Sequence, residues 1–416
     1  MRRIIVGIAF LAVPAVALAQ SPEPGIDVVS VSGPLDGNAL EFMRDSLTNA
    51  VERGQELLVF EIDSPAALDD EGLSALSDLI SSPPLPVAVW VGPAPASAFG
   101  GAAQLVLESS QAAIAPGSTI GLIMPTIAGD PSSTPIVDES RIEGFEGEVE
   151  AEASGLELQP TIRQFLQDLD GREFATRSGP TVVTTIREFT QDGNTGVTVL
   201  PVTFIKPGLV DRFFRLGVTP EATFFFLAVG LAIISFEFFA IGPGLAAATG
   251  AISLVIAGWG LTNLPAQWWS VALAVAGWAV LTASYQRGGV VALTFLGAAM
   301  MQIGGMFLID GSGQIDPRWW LVLPSVLAVL FFFLMAMPTV QRARFSTQVL
   351  GRDTLVGARG VALVDFDPDG LVEVNGGRWR ATAHREAGLV IGSKVLVTGV
   401  DGLFLEVAPV GEEREI

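Results

Sequence analysis

Hydrophobic residues divide the chain into three blocks. Between Thr219 and Val340 they dominate and charged residues are almost absent, whereas both flanks mix apolar and polar positions as water-soluble domains do. Since the hydrocarbon core of a bilayer requires about 20 apolar residues per helix, the central block predicts a membrane region. We therefore divide the chain into a soluble domain at residues 20–218, a transmembrane region at residues 219–341 and a second soluble domain at residues 346–410.

Five apolar runs within this region predict about five transmembrane helices. The runs, which glycine, proline and acidic residues separate, cover residues 223–241, 245–264, 268–285, 290–309 and 319–337. Tryptophan and tyrosine residues lie at several run ends, where their rings favour the interface between lipid and water. The second run begins with alanines and glycines, so it could enter the membrane without crossing it.

The beginning of the chain has the features of an export signal. Arg2 and Arg3 precede an apolar run at residues 4–18, and Ala17 and Ala19 have the spacing of a cleavage site. This combination is typical of a signal peptide, here residues 1–19. An uncleaved anchor helix is the alternative, and in both cases the following domain is delivered across the membrane.

Basic residues predict the orientation of the membrane region. Positively charged loops favour the cytoplasmic side, and such residues occur at Arg287 and, after the last run, at Arg342, Arg344 and Arg352. Five crossings place these segments inside the cell. The sequence thus predicts a multi-pass protein of the cell membrane with an extracytoplasmic N-terminal domain and a cytoplasmic C-terminal domain.

In the N-terminal domain, short apolar strands alternate with amphipathic helices. Strands are predicted at residues 26–31, 57–62 and 86–91, and helices at residues 72–80, at residues 98–109 and between Asp36, as the N-cap, and Gly54. The apolar face of the helix after Asp36 has α-helical spacing and consists of Leu40, Met43, Leu47, Ala50 and Val51. Such alternation indicates an α/β domain with mainly parallel strands.

Five short strands with turn signals between them predict a small β-barrel near the C-terminus. They cover residues 357–364, 371–374, 378–383, 394–400 and 403–408, and five strands in so short a segment fit an OB-like barrel. Acidic residues outnumber basic ones there, so we do not expect a nucleic-acid ligand. We interpret Trp379, between Arg378 and Arg380, as a protein contact or a core residue, and His384 as a surface residue.

The composition excludes several kinds of chemistry. The 416 residues include no cysteine and one histidine, which removes disulfides, thiolate metal sites and most histidine-dependent catalysis. The formal net charge of −21 repels nucleic-acid phosphates. We therefore expect no cofactor, no metal and no nucleic-acid partner. Glu237, inside the first apolar run, is either a carboxylate satisfied by neighbouring groups, which we favour, or part of the ion path of a transporter.

Three stretches of the sequence resemble the NfeD family. They are the segment from IDVVSVSGPLD to AAIAPGSTIG in the N-terminal domain, FFLAVGLAIISFEFFAIGPGLAAATGAISLVIAG in the membrane region, and residues 357–409. The resemblance implies an extracytoplasmic domain related to the ClpP/crotonase fold, membrane helices and a soluble C-terminal barrel. It also implies a membrane-bound serine endopeptidase with a Ser–Lys dyad, and partnership with stomatin- or flotillin-type proteins in membrane microdomains.

No lysine occurs between Met1 and Ile205, so the base that this chemistry needs is missing from the part of the domain in which the resemblance places it. The chain has two lysines, Lys206 and Lys394. A serine hydroxyl is a weak nucleophile without a neighbouring base, and arginine stays protonated and cannot replace lysine. In the family the lysine follows the strand near residues 117–125. Here residues 126–152 form a short acidic stretch, and the helix that carries the lysine is predicted to be deleted.

The nucleophile and the oxyanion loop also depart from the family pattern. When the chain is aligned without gaps on the tripeptide at residues 115–117, the position of the family's serine falls on Gly100. Ser97 is the nearest serine, and we interpret it as a helix cap rather than as a nucleophile. The family's oxyanion loop ends in two glycines, but residues 64–67 read Ser-Pro-Ala-Ala, and positive φ is costly for alanine.

We therefore predict a degenerate peptidase with no catalytic residue, which acts as a scaffold or partner of stomatin- or flotillin-type membrane proteins. The nearby carboxylates of Asp63, Asp69 and Asp70 are interpreted as solvated loop and cap residues rather than as a second kind of active site. Two alternatives stay open, an active endopeptidase that uses Ser97 and a transporter. The predicted partners are membrane lipid, the stomatin-type protein and a peptide bound by the external domain, and the chain could also form a homo-oligomer.

Overall fold

The chain folds into two compact units, of which the first ends at Met335 and the second begins at Ala336. The computed structural model describes residues 24–191, 194–240, 244–339, 355–384 and 387–410. The predicted signal peptide and the basic segment with Arg342, Arg344 and Arg352 lie outside the described residues and stay predictions. The first unit contains both the N-terminal α/β domain and the apolar helices.

Strands and helices alternate through the α/β domain. The strands are β1 (Ile26–Ser32), β2 (Leu57–Asp63), β3 (Val87–Val91), β4 (Ser97–Phe99), β5 (Ala112–Ile114), β6 (Thr119–Gly121), β7 (Glu148–Glu150), β8 (Glu157–Leu158), β9 (Glu173–Thr176), β10 (Gly179–Val182), β11 (Ile186–Gln191), β12 (Asn194–Val199) and β13 (Val202–Ile205). The helices are α1 (Gly37–Glu52), α2 (Asp70–Ser81), α3 (Gly101–Glu108), α4 (Glu139–Ile142), α5 (Ile162–Asp168) and α6 (Leu209–Arg215).

A six-stranded sheet forms the centre of the domain. Its strand order is β13-β1-β2-β3-β5-β8, and every neighbouring pair of strands is parallel. A second sheet, β4-β6-β7, is linked to the end of β2 by a bridge between Ser64 and Ala98. The predicted α/β class with mainly parallel strands is confirmed.

Both faces of the central sheet are buried. Along β2, Leu58, Phe60 and Ile62 pack in one apolar cluster with α1, α2 and α3, whereas Leu57 and Val59 pack in another cluster with α5. A strand that is buried on both faces has a continuous apolar run rather than an alternating pattern, and β2 has such a run. The sheet thereby holds the carboxyl ends of β1, β2 and β3 in fixed positions at one edge.

Helix α1 begins as predicted, but the prediction that Val51 belongs to its buried face is wrong. The Asp36 side chain is the N-cap and accepts the N–H of Ala39 at 3.0 Å. Leu40, Met43, Leu47 and Ala50 are buried. Val51 is 43% exposed, although it lies on the same face four residues after Leu47, in the last turn of the helix.

Five apolar helices follow the α/β domain and coincide with the five predicted runs. They are α7 (Pro220–Ala240), α8 (Leu245–Asn263), α9 (Trp268–Gln286), α10 (Val291–Met306) and α11 (Trp319–Phe331). Four apolar segments are 19 to 21 residues long and can cross a membrane by length and composition. Helix α10 has 16 residues and therefore spans about 24 Å, which is less than a bilayer core. The number of crossings stays a prediction.

Glycines allow the apolar helices to pack closely. A Cβ atom at Gly277 would lie 2.7 Å from the carbonyl oxygen of Gly297, and a Cβ atom at Gly250 would lie 3.0 Å from that of Gly230. Small residues at such crossings permit the backbone contacts that hold helices together in lipid. Glu237 Oε1 accepts the N–H of Gly244 at 2.6 Å, so this carboxylate has the neighbouring partner that the favoured interpretation expects.

The C-terminal unit is a closed five-stranded barrel, which confirms the predicted OB-like class. Its strands are β14 (Arg359–Ala362), β15 (Asp369–Val374), β16 (Gly377–Ala383), β17 (Lys394–Asp401) and β18 (Phe404–Pro409), in the order β14-β15-β16-β18-β17. Val372, Ala381 and Leu405 are among the buried side chains that fill it. Trp379 packs against this core, and His384 is exposed.

Candidate functional site

The residues that the sequence singled out come together where β2, β4 and α3 meet. Directly after β2, the Ser64 N–H donates to the Ser97 carbonyl oxygen at 2.6 Å, and the Phe99 N–H donates to the Ser64 carbonyl oxygen at 3.1 Å. On its other side β4 pairs with β6 in parallel. The loop after β2 and the start of α3 are thus held together by backbone hydrogen bonds.

Ser97 lies in β4, so its interpretation as a helix cap is wrong. Residues 97–99 pair with β6 and with Ser64, and the helix predicted from residue 98 begins only at Gly101. The backbone N–H of Ser97 donates to Asp63 Oδ1 at 2.9 Å, and its Oγ lies 3.4 Å from the same oxygen. Asp63 is therefore bound to β4 rather than solvated in a loop.

Gly100 is the N-cap of α3 and has a backbone conformation that favours glycine. Its φ is +58° and its ψ is −132°, a region in which an L side chain is strained. The Gly100 N–H donates to the Leu122 carbonyl oxygen at 3.1 Å. The position that aligns with the family's serine thus carries no hydroxyl in this chain.

A glutamine from the membrane region fills the space next to Gly100. Gln314 lies in the loop between α10 and α11 and is 9% exposed. Its Nε2 donates to the carbonyl oxygens of Leu122 at 3.0 Å and Pro125 at 2.7 Å. A Cβ atom at position 100 would lie 2.7 Å from Gln314 Oε1. The recess in front of α3, which we call the α3 recess (Gly100, Leu122, Pro125 and Gln314), is therefore occupied by this chain itself.

The loop at residues 64–67 is a packed connection. Ala66 and Ala67 are both fully buried, and neither has a positive φ. The Ala66 carbonyl oxygen accepts the N–H of Leu35 at 2.8 Å, and that of Ala67 accepts the N–H of Ala128 at 2.9 Å. This geometry agrees with the cost that the sequence predicts for positive φ at the two alanines.

The segment at residues 126–152 is mostly loop, and its short elements are α4 and β7. Gln104 of α3 orders it, since Nε2 donates to Thr126 Oγ1 at 2.9 Å and Oε1 accepts the N–H of Ile136 at 2.7 Å. Arg141, on α4, donates to the Leu107 carbonyl oxygen at 2.9 Å. Its guanidinium also lies 3.5 Å from Glu108, where burial raises the pKa of that carboxyl and Arg141 lowers it.

The remaining predicted acidic residues have capping roles, as expected. The Asp69 carboxylate is the N-cap of α2 and accepts the N–H of Gly72 at 3.0 Å, and Asp70 lies in the first turn of the same helix. Among the residues that the structure describes, no group of three or more histidine or carboxylate side chains could hold a metal ion. The site around β4 is thus built from backbone groups, one serine and one carboxylate.

A separate cavity of about 540 Å³ lies at the carboxyl ends of β1, β2 and β3. We call it the strand-end cavity, and its charged lining residues are Glu61, Asp63, Lys206, Arg212 and Arg215. Burial raises the pKa of the Glu61 carboxyl, and the charge of Lys206 opposes this shift. Sequence patterns do not predict this cavity, because its lining comes from four separate segments with no shared motif. Ligands of parallel α/β sheets commonly bind outside the carboxyl ends of the strands.

Comparison with known proteins identifies two segments of the chain. Residues 221–337 match the model of the NfeD integral membrane domain, and residues 352–409 match that of the NfeD-like C-terminal, partner-binding domain. A membrane-bound protease of Pyrococcus horikoshii is 23% identical over 447 residues, which cover 100% of this chain and 99% of the relative. The predicted family resemblance is confirmed.

Two solved structures resemble the N-terminal part. One is a membrane protease of Pyrococcus horikoshii specific for a stomatin homolog, with 18% identity, coverage of 46% of this chain and 98% of that chain, and a TM-score of 0.36. The other is a methylmalonyl CoA decarboxylase, with 15% identity, coverage of 29% and 55%, and a TM-score of 0.24. The predicted architecture of an α/β domain, apolar helices and a C-terminal barrel is confirmed.

Proposed function

We propose that this chain, whose residues 221–337 and 352–409 match the NfeD membrane domain and the NfeD-like C-terminal domain, is a membrane-bound partner protein with a degenerate peptidase domain. Its C-terminal barrel binds a stomatin-type membrane protein, and its α/β domain does not cleave peptides. The observation that carries the loss of cleavage is Gly100, which supplies no hydroxyl at the start of α3, next to a recess that Gln314 occupies.

The chemistry around Ser97 supports the same proposal. Acyl transfer needs a nucleophile, a base that takes its proton, and donors for the oxyanion. No lysine precedes Lys206, and the ionisable group that contacts Ser97 Oγ within the described part of the chain is Asp63, at 3.4 Å. That Asp63 oxygen already accepts the Ser97 N–H, and a carboxylate is a far weaker base than a neutral lysine amine.

An active endopeptidase that uses Ser97 with Asp63 is the competing function. To test it, the full-length chain in detergent is incubated with a fluorophosphonate probe and with unfolded and apolar peptides, and the Pyrococcus horikoshii relative serves as the positive control. We expect neither labelling nor cleavage by the wild-type chain or by Ser97→Ala. A serine adduct that forms on the wild type and disappears in Ser97→Ala would disprove the loss of catalysis.

The barrel supports a role in partner binding. The C-terminal match is described as a partner-binding domain, and one structural relative is a protease specific for a stomatin homolog. On the barrel, Val364, Val390 and Ile391 are 44%, 56% and 67% exposed. The Ile391 N–H donates to Asp365 Oδ1 at 2.7 Å, which brings the two loops together. We call Val364, Val390 and Ile391 the barrel patch and propose it as the contact surface.

Affinity capture of the tagged full-length chain from its own membranes tests this contact, with a stomatin-type protein identified by mass spectrometry. We expect the double variant Val390→Ser/Ile391→Ser to recover about tenfold less of it, which corresponds to about 1.4 kcal/mol, roughly the loss from no longer burying two partly exposed aliphatic side chains. Leu403→Ser is the matched control, because Leu403 is 72% exposed on the same barrel but lies outside the patch. Unchanged recovery after deletion of residues 355–410 would show that the barrel is not the contact.

The orientation inferred from loop charge is part of the proposal. It places the α/β domain outside the cell and the barrel in the cytoplasm, after five crossings. A reporter that is active only in the cytoplasm, fused after Arg344, should be active. An inactive reporter at this position, together with an active one at residue 218, would reverse the orientation.

A further inference from the structure

Helix α6 lies at the boundary between the α/β domain and the apolar helices. The ring of Phe214 is 5.0 Å from that of Trp259, near the carboxyl end of α8. Just beyond α6, Thr223 Oγ1 of α7 donates to the Gly217 carbonyl oxygen at 2.5 Å. Helix α6 is thus fixed against the ends of two membrane helices, where an amphipathic helix would meet the lipid headgroups.

Three apolar side chains of α6, and that of Leu216 at its C-cap, are exposed. Leu209 is 83% exposed, Val210 68%, Phe213 42% and Leu216 53%. The first membrane helix, α7, begins at Pro220, four residues after Leu216. A cluster of this kind is costly in water, but next to the first membrane helix it can be covered by the lipid of the leaflet that adjoins the α/β domain.

The strand-end cavity opens beside this helix and contains two exposed basic side chains, Lys206 and Arg212. Neither side chain donates a hydrogen bond or forms an ion pair within the described residues, although the charge of Lys206 acts on the Glu61 carboxyl. Arg215 has a different role, since its guanidinium donates to the carbonyl oxygens of Ser32 and Pro34 at 2.9 Å each. Arg215 therefore joins the two walls of the cavity, while the other two basic side chains are available to a ligand.

We propose that the strand-end cavity binds the phosphate-bearing headgroup of a phospholipid, with Lys206 and Arg212 on the phosphate and the acyl chains along the exposed face of α6. Lysine and arginine are the side chains that bind phosphate. Each basic side chain near a lipid surface contributes about 1 kcal/mol to binding of anionic headgroups. The volume of about 540 Å³ is suitable for a small polar group.

The two carboxylates in the same cavity favour a lipid over a free anion as the ligand. Glu61 and Asp63 reduce the excess of positive charge, so a small phosphate in solution would be held weakly. A phospholipid gains additional affinity from apolar contact with Leu209 and Val210, at about 25 cal/mol per Å² of buried surface. The balance of charges thus favours a ligand that carries its own apolar portion.

Native mass spectrometry of the full-length chain in detergent, with added phosphatidylglycerol or phosphatidylethanolamine, tests the proposal. We expect one tightly retained phospholipid per chain, and an affinity about 30-fold lower in Lys206→Gln/Arg212→Gln, from about 1 kcal/mol per cation. The matched control Arg44→Gln/Arg177→Gln removes the same charge from exposed sites outside the cavity and should bind like the wild type.

A second double variant and two competing ligands distinguish the lipid from other ligands of the cavity. Leu209→Ser/Val210→Ser should weaken retention of the diacyl lipid while the unfolding temperature stays unchanged, because both side chains are exposed. Glycerol phosphate in large molar excess should not displace the lipid, and displacement would reassign the cavity to free phosphates. Displacement by an unfolded peptide would reassign it to peptides. Equal retention by wild type and Lys206→Gln/Arg212→Gln would overturn the proposal.

Discussion

Two recesses of the first unit face the membrane helices, and they differ in what occupies them. The α3 recess is closed by Gln314, whose amide donates to two backbone carbonyl oxygens. The strand-end cavity is open and contains five charged side chains. The comparison shows that one recess of a domain can be filled by a side chain of the same chain, while the space at its strand ends stays accessible.

The difference follows from the membrane-side element that each recess meets. The loop between α10 and α11 extends the neutral side chain of Gln314 into the α3 recess, where its Nε2 donates two hydrogen bonds and its buried Oε1 has no hydrogen-bond partner. At the strand-end cavity, α6 contributes Arg212 and Arg215. Buried neutral groups with partners are stable without a ligand, whereas unpaired charges at a cavity mouth favour binding of one. The following variants test this contrast.

The largest effect is expected when a side chain is introduced at the closed recess. Gly100→Val combines strain at φ +58° with overlap against Gln314, and we expect a loss of about 3 kcal/mol in the free energy of unfolding. Thermal unfolding of the full-length chain in detergent, followed by tryptophan fluorescence, measures it.

The double variant Gly100→Val/Gln314→Ala tests whether Gln314 causes the overlap. Gln314→Ala alone should cost about 1 kcal/mol, because it removes two hydrogen bonds. In the double variant the overlap is relieved and the strain stays, so the loss should be smaller than the sum of the single losses by about 1–2 kcal/mol. Additive losses would show that Gln314 does not fill the space at position 100.

At the open cavity, the side chain that joins the walls should matter most. Arg215→Met removes two charge-assisted hydrogen bonds to the carbonyl oxygens of Ser32 and Pro34, which should lower the free energy of unfolding by about 2 kcal/mol. The control Arg44→Met changes an exposed arginine of α1 and should have no measurable effect. Equal unfolding temperatures for both variants would show that Arg215 does not stabilise the wall of the cavity.

The smallest effect concerns Glu61 and depends on pH. Burial raises the pKa of the Glu61 carboxyl above its usual 4.5, so its contribution to stability is fully present below that value and is lost as the pH rises through the pKa of the folded state. As the pH rises from 4 to 7, the stability of Glu61→Gln relative to the wild type should therefore increase. The increase should be less than about 1 kcal/mol, because the site is partly solvated.

Unfolding temperatures of wild type and Glu61→Gln, measured side by side at pH 4 and pH 7, give this difference. Glu41→Gln is the matched control, because Glu41 is exposed on α1. A difference between Glu61→Gln and the wild type that is the same at both pH values would contradict the role of burial at this position.

Local patterns predicted most of the fold but little of the site. Helices α1 and α2 follow from their caps, Asp36 and Asp69, and from apolar faces that the sequence repeats every three or four residues. The barrel strands follow from turn signals in the same way. Ser97 was misassigned because β4 is only three residues long and is a strand through its pairing with β6 and Ser64.

The occupant of the α3 recess could not be predicted from local patterns. Gln314 bonds to a carbonyl oxygen 192 residues away and lies in a loop between membrane helices that has no motif. The absence of a lysine before Lys206 and the glycine at position 100 were visible in the sequence. Whether a recess is filled or a cavity stays open depends on how the α/β domain and the apolar helices pack together, and no local sequence pattern shows this.

One backbone atom connects the two halves of the first unit. The Leu122 carbonyl oxygen accepts both the Gly100 N–H, at the beginning of α3, and Gln314 Nε2, between α10 and α11. A tilt of these membrane helices relative to each other therefore pulls on the first turn of α3 without passing through the central sheet. The position of the loop between α10 and α11 and that of the first turn of α3 are thus linked through a single shared acceptor.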